Sequence, residues 1–254
     1  MRNICLKISY SGKNYHGWQV QTNALSVQEV FQKALKKVLK ENSLDIKGCS
    51  RTDKGVHANA YCVSFKTENK INIEKLPLAL NRFLPKDISV HKAVEVPLNF
   101  HARYSAKGKE YIYKIWNEKI RNPFLDGYVC HYWYSLDIDF LNRCCKYFIG
   151  TYDFKSFCTL DERNPCDLVR TIENFMAFRS GSFVVFKIKA NGFLYNMVRI
   201  IVGTLLKFNK NKTDPSIIKE IILARDRSSA GPTAVPHGLY LNKVFYEGIN
   251  FEET

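Results

Sequence analysis

The sequence predicts an α+β protein of two successive halves, each running β-α-β-β-α-β with antiparallel sheets. Three observations predict it. In NICLKISYS, Ile4, Leu6, Ile8 and Tyr10 alternate with period two, as in a half-buried strand. The next segment repeats apolar residues at helical spacing, and strand-like and helix-like stretches then continue in an order that recurs after Gly108. Finally, 254 residues of which 46% are hydrophobic can bury one large or two small domains, so disorder is not the default.

In the first half the helix follows strand one. Ser26 and Glu29 form a capping-box pattern, and Val27, Val30, Phe31, Ala34, Leu35, Val38 and Leu39 make one stripe, outside which fall Lys33, Lys36, Lys37 and Lys40. A short strand is expected near Leu44–Lys47, then the polar loop GCSRTDKGVHA, a strand around Ala60–Phe65, a helix near Leu76–Phe83 and a strand near Ile88–Val96. The second half opens with KEYIYKIW and continues with a helix carrying Ile138, Leu141, Cys145 and Phe148 and a strand around Thr171–Phe178. A turn at Ser180–Ser182 leads into FVVFKIKA, followed by an apolar helix through Arg199, a further helix at Pro215–Ala224 and the strand LYLNKVFY. This order suggests two ferredoxin-like halves, 1–103 and 104–254, joined near residues 97–107 where PLNFHARYSAK has no clean period.

Charge leaves two readings about even. Lys and Arg number 38 against 24 Asp and Glu, a net +14, which suits polyanion binding through counterion release and equally a merely solvated basic surface. Eight cysteines in a chain of this size without an h-region at MRNICLKISY suggest reduced thiols and a cytoplasmic protein rather than a disulfide scaffold. No CxxC pair occurs and the six histidines are scattered, so no structural metal is expected. The apolar run FLYNMVRIIVGTLLKF is shorter than a bilayer span and carries Arg199, which makes it a buried helix. GxGxxG and P-loop patterns are absent, so no nucleotide cofactor is indicated.

Candidate chemistry lies in three places. Asp53 sits between Arg51 and Lys54 in a glycine-bounded loop, where turn composition accounts for it as readily as catalysis does. Arg199, in an apolar helix, needs a carboxylate or phosphate partner, since an isolated buried charge is heavily penalised. Tyr111 and Tyr113 project from one strand face, and at most one of them is expected to be a stacking platform for a base, the other being core. The preceding FHARYSAKGK adds His101, Arg103, Lys107 and Lys109, a basic segment interleaved with aromatics as RNA-loop recognition requires. YSGKNYHGWQ is a second polar and aromatic cluster in which Trp18 reads most simply as buried, and a lone His57 reads most simply as structural.

Six blocks, YSGKNYHGWQ, SRTDKGVHA, FHARYSAKGKEYIY, TYDFKSF, NGFLYNMVRIIVGTLL and AGPTAVPHGLYL, resemble in order and spacing the tRNA pseudouridine synthases that modify positions 38 to 40 of the anticodon arm. The likeness runs from about residue 4 to residue 246. It implies two α+β domains flanking a basic cleft, a homodimer that grips tRNA, and no cofactor or metal. It further implies that Asp53 is the nucleophile, Arg51 the residue linked with flipping the target uridine, and Tyr111 its stacking partner. Arg199 matches the arginine that pairs with the catalytic carboxylate, and Leu239 an apolar wall of the uracil pocket. The sequence departs from the family's pattern at Ser11, where Asp is usual, and at Lys109-Glu110, where a basic pair is usual. Two other readings are a catalytically silent RNA-binding protein of the same fold and a synthase acting on other RNA positions. A thiol- or metal-dependent RNA-modifying enzyme is a weaker third.

Overall fold

The computed structural model describes residues 1–160, 167–249 and 251. The chain divides into two compact units, residues 1–107 with 240–254, and residues 108–239.

The first unit follows the expected order, with β1 (Arg2–Tyr10), α1 (Val27–Leu39), β2 (Ile46–Gly48), β3 (His57–Thr67), α2 (Leu76–Asn81) and β4 (Ile88–Val96). β1 is central, antiparallel to β3 on one edge and to β4 on the other. The far edge of β3 is shared. β2 pairs antiparallel along Val63–Phe65, and the last strand of the chain, β10 (Leu239–Tyr246), pairs with His57 and Ala58. That last pairing is parallel, so the sheet is mixed rather than wholly antiparallel, and residues 240–246 group with the first unit. Ile4, Leu6 and Ile8 are fully buried as the alternation requires, and Asn3 and Cys5 on the opposite face are buried as well. The Ser26 side chain caps α1 by accepting from the Glu29 amide at 3.3 Å, while the Glu29 carboxylate pairs with Lys33 at 2.6 Å one turn on. Val27, Phe31, Ala34, Leu35 and Leu39 carry the helix onto the sheet.

The second unit holds β5 (Ala106–Trp116, from Gly108), β6 (Cys130–His131), α3 (Ile138–Lys146), β7 (Gly150–Asp153), β8 (Val169–Ser180), β9 (Phe183–Ala190), α4 (Met197–Asn211) and α5 (Ile217–Ala224). β5, β9, β8 and β7 follow one another as an antiparallel sheet, and β6 adds in parallel at Ile115 and Trp116. β6 and β7 are not predicted from the sequence. At two and four residues they are too short to show a period. Tyr113, Ile115, Phe148, Phe154, Phe157 and Phe186 fill the core. Among the described residues no helix is long and apolar enough to cross a membrane, and the seven described cysteines are buried thiols.

Candidate active site

In the first unit the polar loop is the connection from β2 to β3, residues 49–56, and it is held from both sides. The Cys49 amide donates to Cys62 O at 2.9 Å, and the Tyr61 hydroxyl bonds Ser50 O. The segment after β1 secures the middle. Trp18 N donates to Thr52 O at 3.1 Å, Gly55 N donates to Tyr15 O at 3.2 Å, and the Tyr10 and Thr52 hydroxyls share a buried bond of 2.8 Å. Trp18 is itself buried, stacked on Tyr61 with centroids 4.1 Å apart, as the simplest reading of it required. Two glycines let the segments meet. A Cβ on Gly12 would lie 2.0 Å from Val56 O, and one on Gly17, whose φ is +90°, would lie 2.4 Å from Thr52 O. YSGKNYHGWQ and SRTDKGVHA are therefore one packed structure in which Asp53, half-buried, sits at a fixed place on the backbone. Arg51 and Lys54 flank it with exposed side chains. His57 is structural: it is 1% exposed, stacks on Tyr240 at 4.6 Å, and its Nδ1 accepts the Gly12 amide at 3.0 Å.

Beside this loop lies a polar groove of about 290 Å³ lined in part by Arg51, Lys47, Gln19, His101, Arg103 and Tyr104. The amides of Arg103 and Tyr104 donate to His101 Nδ1 at 3.0 and 3.4 Å, so the ring stands as the Nε2–H tautomer. Burial, the Lys47 charge and the Arg103 charge lower the His101 pKa. Tyr104, 76% exposed, lies 4.4 Å from the His101 ring, and Arg103 sits 5.7 Å from the Tyr104 ring. Sequence reasoning passed over Tyr104, although an aromatic inside a basic segment was a signal for it. Lys107 stands on the same segment, exposed and paired with Glu247 at 3.2 Å.

In the second unit Tyr111 and Tyr113 are both buried. Tyr113 is core: it is fully buried and its hydroxyl donates to Val235 O at 2.8 Å. Tyr111 presents its ring edge-on to Phe193 at 5.0 Å and keeps 6% exposure. Arg199 is half-buried near the start of α4, and two of its partners are neutral oxygens. Nε donates to Ala234 O at 2.8 Å and Nη1 to Asn196 Oδ1 at 2.7 Å. Asn196 adopts the left-handed conformation, φ +61°, which an Asn tolerates better than most side chains. Ala234 N returns a bond to Arg199 O at 3.0 Å, and the Gly231 amide donates to Thr204 Oγ1 at 2.9 Å. A Cβ on Gly203 would lie 1.8 Å from Pro232 O, so the AGPTA loop lies directly on α4 and orients the arginine. Leu239, buried, follows at the end of that loop segment. The units thus present a carboxylate on a pinned loop in one, and an oriented guanidinium, a buried tyrosine ring and a leucine in the other. Among the described residues no cluster of three or more His, Cys, Asp or Glu could hold a metal ion.

The family model described as tRNA pseudouridine synthase matches residues 7–105 and 144–247. A protein of Caldicellulosiruptor bescii named tRNA pseudouridine synthase A is 47% identical over 246 residues, which is 97% of this chain and all of that one. One of the same name from Caldicellulosiruptor saccharolyticus is 48% identical over the same shares of both chains. A third, from Halalkalibacterium halodurans, is 43% identical over 94% of this chain and 90% of its own. The matched stretches include Arg51, Asp53, His101, Arg103, Arg199 and Leu239, with Tyr111 and Lys107 falling between them. On this identity and coverage the chain belongs to the tRNA pseudouridine synthase family.

Proposed function

We propose that the protein isomerises uridine to pseudouridine at positions 38, 39 and 40 of the tRNA anticodon arm, as a cytoplasmic homodimer that uses no cofactor. The observation that carries the reading is the Asp53 loop: a half-buried carboxylate is held by backbone bonds on both sides, with Arg51 exposed next to it. The reaction breaks the bond from ribose C1′ to uracil N1 and makes one from C1′ to C5. N1 gains a proton and C5 loses one, so electrons and atoms balance without a redox partner. Asp53 is the group at the centre, by attack on C1′ or C6 or by taking the C2′ proton. Arg51 takes the space the uridine leaves when it unstacks, Tyr111 and Leu239 contact the extruded base, and Arg199 keeps the carboxylate ionised, since a nearby cation lowers a carboxylate's pKa. His101, Arg103 and Lys107 grip the RNA backbone. The repeated βαββαβ order supports reading both units as ferredoxin-like halves with a basic RNA-binding cleft.

The test is Asp53→Asn. It removes the nucleophile and keeps the shape, so pseudouridine formation should vanish while tRNA binding stays within about twofold. Turnover retained by the Asn variant would sink the assignment.

A further inference from the structure

None of the residues assigned above lines the larger of the two grooves described here, which lies in the second unit where the end of α3, β7 and the start of α5 meet. It has a volume of about 540 Å³ and is lined by Arg143, Lys146, Tyr147, Tyr152, Pro215 and Lys219. That volume is in the range of small-molecule sites, about 300–1,000 Å³. Three cations and two phenol rings form its wall. Their placement follows from the fold: Arg143, Lys146 and Tyr147 are three and four residues apart and share one face at the end of α3, and Lys219 reaches from α5 to 5.6 Å from the Tyr147 ring. The Tyr152 ring is held over Gly150, where a Cβ would lie 3.0 Å from Cε2 and 3.1 Å from the hydroxyl; Gly150 has φ +129°. Tyr152 also meets Phe154 at 6.1 Å in an edge-to-face pair. The nearby carboxylates are engaged. Asp153 pairs with Arg225 at 3.1 Å, and Asp214 accepts the Ser216 amide at 2.8 Å.

Cations together with a fixed aromatic face suit a ligand that carries a phosphate and a planar ring. We infer that this groove binds one nucleotide unit of RNA, its phosphate on Arg143, Lys146 and Lys219 and its base on Tyr152, as a contact separate from the residues that act on the target uridine. The net charge of +14 favours a polymer over a free nucleotide as the source, and the identification of the RNA as tRNA rests on the function proposed above.

Equilibrium binding of full-length tRNA to the whole protein tests it. Tyr152→Leu leaves every charge in place and should weaken affinity about tenfold, the loss of one base stack. Lys219→Gln should weaken it severalfold and lower the slope of log K against log salt by about one. Lys33→Gln, on α1 and already paired with Glu29, is the control and should change neither by more than its share of net charge. Should Tyr152→Leu fail to fold, judged by its melting curve, the salt slope of Lys219→Gln decides. A second arm titrates uridine and adenosine monophosphates. Saturation of the wild type but not of the variants, with tRNA affinity unmoved, keeps the nucleotide site and makes a free nucleotide its source. Unmoved tRNA affinity and slope with no saturable monophosphate binding overturn the inference. Uridine conversion is scored separately, so a protein that binds tRNA in this way yet converts none would refute the synthase reading and not the groove.

Discussion

Replacing Gly12 by alanine tests whether the segment after β1 sets the position of Asp53. The added Cβ would stand 2.0 Å from Val56 O and 2.6 Å from Val56 C, both backbone atoms of the loop that carries Asp53. No side-chain rotation relieves a clash with backbone. Ordinary contact begins at 3.4 Å, so the two segments must part by about 1.4 Å, the difference between 3.4 and 2.0. That movement also lengthens the 3.0 Å bond from the Gly12 amide to His57 Nδ1 at the start of β3. Overpacking of this kind costs about 1–3 kcal/mol, and 2 kcal/mol corresponds to a fall in Tm of about 4–8 °C for a chain of this size. The catalytic effect is larger. Misplacement of a reacting group by about 1 Å lowers rates about 100-fold, so kcat should fall by that factor while tRNA affinity, set by side chains elsewhere, stays within about threefold. Single-turnover pseudouridine formation with saturating enzyme, beside a thermal melt, separates the two effects. A folded Gly12→Ala protein with wild-type kcat would refute the claim that this contact positions Asp53 for the reaction proposed above.

Two further outcomes follow from the geometry. Arg199→Ala removes charge-assisted bonds to Ala234 O and Asn196 Oδ1 and should cost about 2–4 kcal/mol of stability and nearly all activity, whereas Arg199→Lys should recover part of the stability; an unchanged melt for the alanine variant would mean that the AGPTA loop is not held by this side chain. The His101 pKa is lowered in the folded protein, so above pH about 6.5 the residue is neutral folded or unfolded and contributes nothing to pH dependence. As pH falls through that value the unfolded chain takes up the proton first and stability declines, because a proton on Nδ1 would face the Arg103 and Tyr104 amides; melts of wild type and His101→Gln at pH 5 and 7 check it, and an equal decline in both would refute the assignment to His101.

Much of this was legible because period and chemistry agreed. The bounds of β4, β9 and β10 coincide with the apolar alternation, and Ser26 caps α1 where the pattern placed it. Trp18 is core, as its simplest reading had it, and so is Tyr113. What was not legible depends on contacts between distant segments. Nothing local in LYLNKVFY says that Tyr240 and Leu241 pair with His57 and Ala58. The demand for an anionic partner at Arg199 rested on full burial in an apolar helix. The side chain is only half-buried, and carbonyl oxygens from Asn196 and from the AGPTA loop, 35 residues away, take two of its donors. Gly12 and Gly17 read as ordinary turn residues until the loop they touch is seen.

The parallel pairing of β10 with β3 has a consequence for how the protein is made. Residues 108–239 form one uninterrupted stretch, whereas the first unit needs both ends of the chain. During synthesis the first unit waits for its closing strand. Until Tyr240 has emerged, His57 lacks the ring that stacks on it and the free edge of β3 stays open beyond β2. The start of β3, just after the segment that carries Asp53, is therefore among the first parts to be translated and among the last to gain its full set of strand partners.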